Sequence, residues 1–152
     1  MIPIALVGEA WGKEEAVARS PFVGATGHVL NHILEDAGIS RWECFITNVF
    51  NLHPPRDDVT WFCGAKSLGI PGYPPLQKGK YVRAEFVGEI NRLALELEGA
   101  DPNVVVCLGN TALWALTGLT GIARLRGATI RSSLTISGFK LLPTYHPAAV
   151  SR

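Results

Sequence analysis

A chain of 152 residues that is 47% hydrophobic and 18% charged has enough apolar content for one globular core, which argues against a disordered or low-complexity protein. Its formal net charge of +1 gives no global attraction to nucleic acid, and three widely spaced cysteines (Cys44, Cys63, Cys107) without a CxxC pair argue against a disulfide framework or a zinc ribbon. No basic segment runs into an apolar stretch at the start, and no apolar run approaches the ~20 residues of a membrane helix. The expectation is one cytoplasmic domain over residues 1–152, with no membrane association.

In chain order, residues 4–7 read as a short buried strand. Gly8-Glu9-Ala10-Trp11-Gly12 follows, a glycine-bracketed turn whose exposed N–H groups suit an anion or a water. After Pro21-Phe22-Val23-Gly24, the spacing of Val29, Leu30, Ile33, Leu34 and Ala37 predicts a helix over 26–37, stopped by Gly38. Residues 44–49 form a second apolar run, and Asn48 at its end offers a donor and an acceptor that match the edge of a nucleobase, or that simply bridge a turn. Residues 53–81 hold Pro54, Pro55, Pro71, Pro74 and Pro75 and no periodicity, as a functional or mobile segment would. A helix over 83–97 is predicted from Phe86, Ile90, Leu93, Ala94 and Leu97. A third strand over 104–108 leads into a helix over 110–116, with Asn110 as its N-cap. Residues 128–137 alternate loosely, as in a small hairpin or edge strand. The fourth strand, 139–144, ends in Tyr145-His146-Pro147, where the imidazole can face the first loop. Cys44, Cys107, Trp42 and Trp114 are expected in the core.

Apolar strands separated by helices predict a parallel sheet covered on both faces, hence a three-layer α/β/α sandwich around a central, mainly parallel four-stranded sheet. Ligands of such folds bind at the carboxyl ends of the strands. There this chain presents Glu9, Asn48, a helix N-terminus and His146 in one order along one edge. His28 and His32 have the i, i+4 spacing of a helical metal pair, but no third ligand is evident and no metal is expected. From residue 122 to 152 the chain carries Arg124, Arg126, Arg131, Lys140 and Arg152 and no acid, a stretch suited to phosphates or to ordinary solvation.

These motifs, in this order, resemble the uracil-DNA glycosylase superfamily, family 4 and related phage proteins above all. GEAWG followed by PFVGATG resembles the family's GEAPG, acidic pair and PFVG. TNVFNLHPP is similar to TNVVKCRPP, LGNTALWALTG to an LG-x-TA helix start, the segment from Ile122 to Gly127 to ITKLRG, and TYHPAAV to a closing HPS-type motif. Trp11, Ala16 and Arg19 depart from the pattern, standing for a proline, the second acid and a glycine. Family 4 members usually carry a four-cysteine iron–sulfur cluster. Leu52 occupies one of those cysteine positions, so no cluster and no other cofactor is expected, and the Pro-rich segment is expected to pack through Trp61, Phe62 and Tyr73 instead.

The resemblance implies DNA containing uracil as the substrate and free uracil as the product, released by a monomer. It makes Phe22 the stacking ring, Asn48 the reader of the uracil edge, and Glu9 and Ala10 the pocket floor, with Glu9 placing the attacking water. His146 is then the group that stabilises the departing base. Ala148, Ala149 and Val150 would fill the gap left in the duplex, and Arg126 and Arg152 would meet phosphates. Two alternatives are an inactive DNA-binding module of the same fold in phage replication, and a metal-dependent phosphate hydrolase using Glu14-Glu15 and Asp57-Asp58.

Overall fold

The computed structural model describes residues 2–150, apart from the side chain of Val150. Its elements are β1 (Ile4–Ala10), α1 (Lys13–Ala18), α2 (Ala25–Asp36), β2 (Cys44–Phe50), β3 (Cys63–Gly64), β4 (Tyr81–Val82) and α3 (Val87–Ala100). There follow β5 (Val104–Leu108), α4 (Asn110–Thr117), α5 (Ile122–Leu125), β6 (Ile130–Arg131), β7 (Lys140–Thr144) and α6 (Pro147–Val150).

Strand alternation creates the layers. Ala5 and Val7 of β1 join Val105 and Cys107 of β5 in one core, against Ile90, Leu93 and Leu97 of α3 and Leu113, Trp114 and Leu116 of α4. Leu6, with Ile4, Ile46, Val106 and Leu108 around it, turns to the opposite face and meets Leu30 and Leu34 of α2. Apolar side chains on both faces of each central strand therefore require helices on both sides, and an α/β/α sandwich results. Each fully buried large side chain contributes about 1.5–3 kcal/mol.

The sheet runs β2-β1-β5-β7-β6, parallel except for β6, which pairs antiparallel with β7. From β1 the chain crosses to β2 on one side, whereas from β5 it proceeds to β7 on the other. Neighbouring strands whose connections diverge leave a crevice at their carboxyl ends, and here it opens between β1 and β5.

Several elements differ from the sequence expectation. The four apolar runs predict four strands; the sheet has a fifth, β6, within the loosely alternating 128–137 stretch. The Pro-rich segment contains the β3–β4 hairpin, too short for periodicity to reveal. It packs as expected through Phe62, stacked on Phe50 at 4.2 Å, and through Tyr73 against Trp114 at 5.5 Å, while Trp61 stays half exposed. Trp42 is 97% exposed rather than in the core, whereas Trp114 is fully buried. Trp42 sits in a one-turn 3-10 helix, Arg41–Glu43, whose inward residue is Arg41, bonded to the Pro21 carbonyl and the Asn31 amide oxygen. Cys44 beside it is half-buried, and Cys107 is fully buried. The cap of α4 is Gly109, not Asn110; the Asn110 Oδ1 instead accepts from the N–H groups of Gly121 and Ile122, both at 2.9 Å, and so anchors the start of α5.

Candidate active site

A cleft of about 1220 Å³ occupies the crevice between β1 and β5, walled by the loops that follow β1, β2, β5 and β7. Its first wall is built by Glu15. From the first turn of α1, one carboxylate oxygen accepts from the Gly12 N–H at 3.1 Å. The other accepts from Val23 N–H at 2.9 Å and Gly24 N–H at 2.8 Å. Burial pushes this carboxyl up, but the converging N–H groups outweigh it and hold it below the usual carboxylate range. The loop so pinned presents Phe22, in left-handed backbone (φ 51°) and almost fully buried. A non-glycine residue holds that conformation only where its surroundings impose it.

The Phe22 ring lies 5.7 Å from the His146 imidazole, tilted by 33°. Between β1 and β2, Gly8 pairs with Asn48. A Cβ on Gly8 would stand 2.4 Å from Asn48 Oδ1 and 2.6 Å from Phe22 Cζ, so the absence of a side chain there is what lets amide and ring converge. Asn48 is 1% exposed, yet its Oδ1 has no hydrogen-bond partner. A buried acceptor without a donor costs about 1–3 kcal/mol. A ligand that brings an N–H or O–H relieves that cost.

Burial lowers the His146 pKa to about 4, so the ring is neutral near pH 7. Its Nδ1 accepts from the Ala148 N–H at 3.1 Å. The proton of the neutral ring therefore sits on Nε2, which leaves that nitrogen a donor. The ring also packs against the α4 cap, where a Cβ on Gly109 (φ 96°) would come within 3.1 Å of His146 Cβ. Across the crevice the Thr111 hydroxyl donates to Glu9 Oε2, tying the end of β1 to the first turn of α4. Burial raises the Glu9 pKa, the Thr111 bond opposes that rise, and the charge of Asp58 adds to it.

Glu9, Ala10, Phe22, Asn48, His146, Ala148 and Ala149 thus share one cleft. Arg126 does not line it; its guanidinium lies over the Tyr145 ring at 4.9 Å, beside a shallow recess at the carboxyl half of β7. Arg152 and the side chain of Val150 lie outside the described residues. Sequence reasoning missed Glu15 and Thr111 as parts of the site. The Gly12-to-Glu15 spacing of a capping box pointed to the first, and a hydroxyl in the turn after the third strand to the second.

His28 and His32 are exposed on α2, and among the described residues no three His, Cys, Asp or Glu side chains are grouped to hold a metal. Cys107 lies inside β5 with its thiol pushed up to about 12 by burial, Cys44 starts β2 at the end away from the cleft, and Cys63 is in β3. These three cysteines stand on separate strands, are not grouped with one another, and do not fit an iron–sulfur cluster. Among the described residues, no helix is long and apolar enough to cross a membrane.

Fold and site define a doubly wound α/β protein with an amide, a neutral imidazole and an aromatic ring around one recess at the switch point. The family model of the uracil DNA glycosylase superfamily matches residues 2–152. The chain is 33% identical over 153 residues to a type-4 uracil-DNA glycosylase of Archaeoglobus fulgidus, covering 97% of this chain and 66% of that one. It is 30% identical over 151 residues to a type-4 uracil-DNA glycosylase of Thermotoga maritima, covering 98% of this chain and 66% of that protein. A third such protein, from Pyrobaculum aerophilum, is 29% identical over 154 residues, which are 98% of this chain and 68% of that one. The chain belongs to the uracil-DNA glycosylase superfamily. It spans just under two thirds of the length of the first two of these relatives.

Proposed function

We propose that the protein is a uracil-DNA glycosylase that flips deoxyuridine out of DNA and hydrolyses its N-glycosidic bond, leaving an abasic site. The observation that carries this reading is the orphaned Oδ1 of Asn48 beside the Phe22 ring. Uracil brings the donor that this acceptor lacks: its N3–H meets Oδ1, and its O4 accepts from the same amide. Cytosine reverses both groups, so the amide selects between the two bases. Stacking on Phe22 contributes about 1–3 kcal/mol.

As the bond from N1 to the sugar breaks, its electron pair stays on the base and negative charge grows on O2. The Nε2–H of neutral His146 donates to that oxygen, an interaction that strengthens in the transition state. A water adds to the sugar C1′ and gives up a proton to Glu9, which burial makes a stronger base than an ordinary carboxylate. Ala10 lies on the pocket floor. Ala148, Ala149 and Val150 fill the space left in the duplex, and Arg126 and Arg152 contact phosphates, which fix register without reading sequence. The enzyme works as a cytoplasmic monomer without a cofactor.

The missing acid at Ala16 would favour the alternative of an inactive DNA-binding module only if that acid built the site. The carboxylate that organises the loop is Glu15, which is present, so that departure does not touch the site. The metal-dependent alternative loses Glu15 as a ligand, since both of its oxygens are committed to backbone N–H groups. The test is uracil release from a single-stranded oligonucleotide carrying one deoxyuridine. Asn48→Ala and His146→Ala are each expected to slow it by 10²-fold or more, as removal of a transition-state donor does. Unchanged release in both variants overturns the assignment.

A further inference from the structure

β2 is an edge strand, so among the described residues no strand neighbours its side turned away from β1. In place of a strand, α3 supplies side chains. One terminal nitrogen of Arg92 donates to the carbonyls of Asn48 at 2.8 Å and Val49 at 2.9 Å. The other donates to Glu96 Oε1 at 2.5 Å and Thr47 Oγ1 at 3.2 Å. Glu96 Oε1 also accepts from the Thr47 hydroxyl at 2.6 Å, and Glu89 Oε1 accepts from the Asn51 N–H at 2.6 Å. The Arg92 side chain is 23% exposed, and its Nε lies 3.5 Å from Glu89. One helix face thereby holds Thr47, Asn48 and Val49 of β2 and Asn51 of the turn beyond it.

The arrangement is directed at the residue that reads the base. Thr47 turns its side chain to α3, so Asn48 turns its own to the opposite face, over Gly8. What α3 holds of Asn48 is its carbonyl. Resting on the reading of the site above, we infer that Arg92 is a positioning residue for base selection: by gripping the Asn48 and Val49 carbonyls it sets the height and pitch at which the Asn48 amide meets the base. A planar, forked guanidinium suits two adjacent carbonyls, and a lysine ammonium does not reproduce that geometry. An amide displaced by about 1 Å misaligns both of its hydrogen bonds to the base, and uracil binding weakens.

The test compares wild type, Asn48→Ala, Arg92→Ala, Arg92→Lys and Leu95→Ala, the last on the exposed side of the same helix. The inhibition constant of free uracil and the affinity for abasic-site DNA are measured separately, with thermal unfolding as a check of folding. Arg92→Ala is expected to raise the uracil inhibition constant at least tenfold and leave abasic-DNA affinity within twofold, with Arg92→Lys recovering part of the loss and Leu95→Ala none to recover. An active wild type, sensitive to Asn48→Ala, combined with an Arg92→Ala variant that keeps the wild-type uracil constant overturns this inference alone. So does a parallel loss of uracil and abasic-DNA binding in both Arg92 variants, which marks a purely structural role. If Arg92→Ala does not fold, Arg92→Lys decides by the same two constants. A wild type that releases no uracil overturns the reading of the site, and the inference falls with it.

Discussion

With Glu9 as the proposed base, Thr111 would act on the reaction through it, with a single hydroxyl. Its hydrogen bond favours the ionised carboxylate, whereas burial and the Asp58 charge favour the neutral acid. Thr111→Val keeps the shape and removes the donor, so the Glu9 pKa rises further. The acid limb of the pH–rate profile is expected to move to higher pH, and a profile that stays in place removes Glu9 as the base. His146 makes the opposite kind of prediction. Its folded pKa of about 4 lies below the ~6.5 of an unfolded chain. Between those values the unfolded state binds a proton that the folded state refuses, so stability is lost as pH falls from about 6.5 toward 4. His146→Gln is expected to unfold less steeply with falling pH over that window, as measured by thermal denaturation. Asn48 and His146 were legible in the sequence because each stands at the end of an apolar run, and Phe22 was legible through the resemblance of PFVG to the family motif. Thr111 was not, because a hydroxyl in the first turn of a helix looks like an ordinary cap.

At the scale of elements, the helices that periodicity predicts are those that bury an apolar stripe. Ile90, Leu93 and Leu97 fix α3, and Leu30 and Leu34 fix α2. The six residues of α1 bury only Glu15, so no hydrophobic pattern announces them. That helix exists to aim a carboxylate at the Phe22 loop. It ends at Arg19 in left-handed backbone (φ 52°), the position where the family pattern has glycine. A side chain there costs about 1–2 kcal/mol in local sterics, partly offset by the entropy that glycine loses on folding. Arg19→Gly is expected to stabilise the protein by about 0.5–1 kcal/mol, seen as a rise of a few degrees in Tm. No change, or a fall, means that the Arg19 side chain makes compensating contacts.

Across the whole molecule, the Pro-rich segment is part of the main core. Phe62 is fully buried between Phe50 and Phe86, and Arg83 lies over the Trp61 and Phe86 rings while donating to the Trp61 and Phe62 carbonyls. Composition alone marked this segment as irregular, since its order comes from contacts between residues 50, 62 and 86, far apart in sequence. Phe62→Ala is expected to cost about 3–5 kcal/mol and to lower Tm in a single cooperative transition. A separate early transition would mean that the segment is an independent flap.

The four tryptophans also occupy four different environments: Trp114 fully buried, Trp11 along the cleft, Trp61 half exposed and Trp42 97% exposed. They form a built-in optical probe. Trp42, on the 3-10 turn before β2 and at the opposite end of the sheet from the cleft, emits as indole in water does, yields first to a soluble quencher and takes no notice of a ligand. Replacing it with phenylalanine strips away that silent background. Of the three that remain, Trp11 is the one along the cleft, so a change in emission on adding a base is expected to come from it.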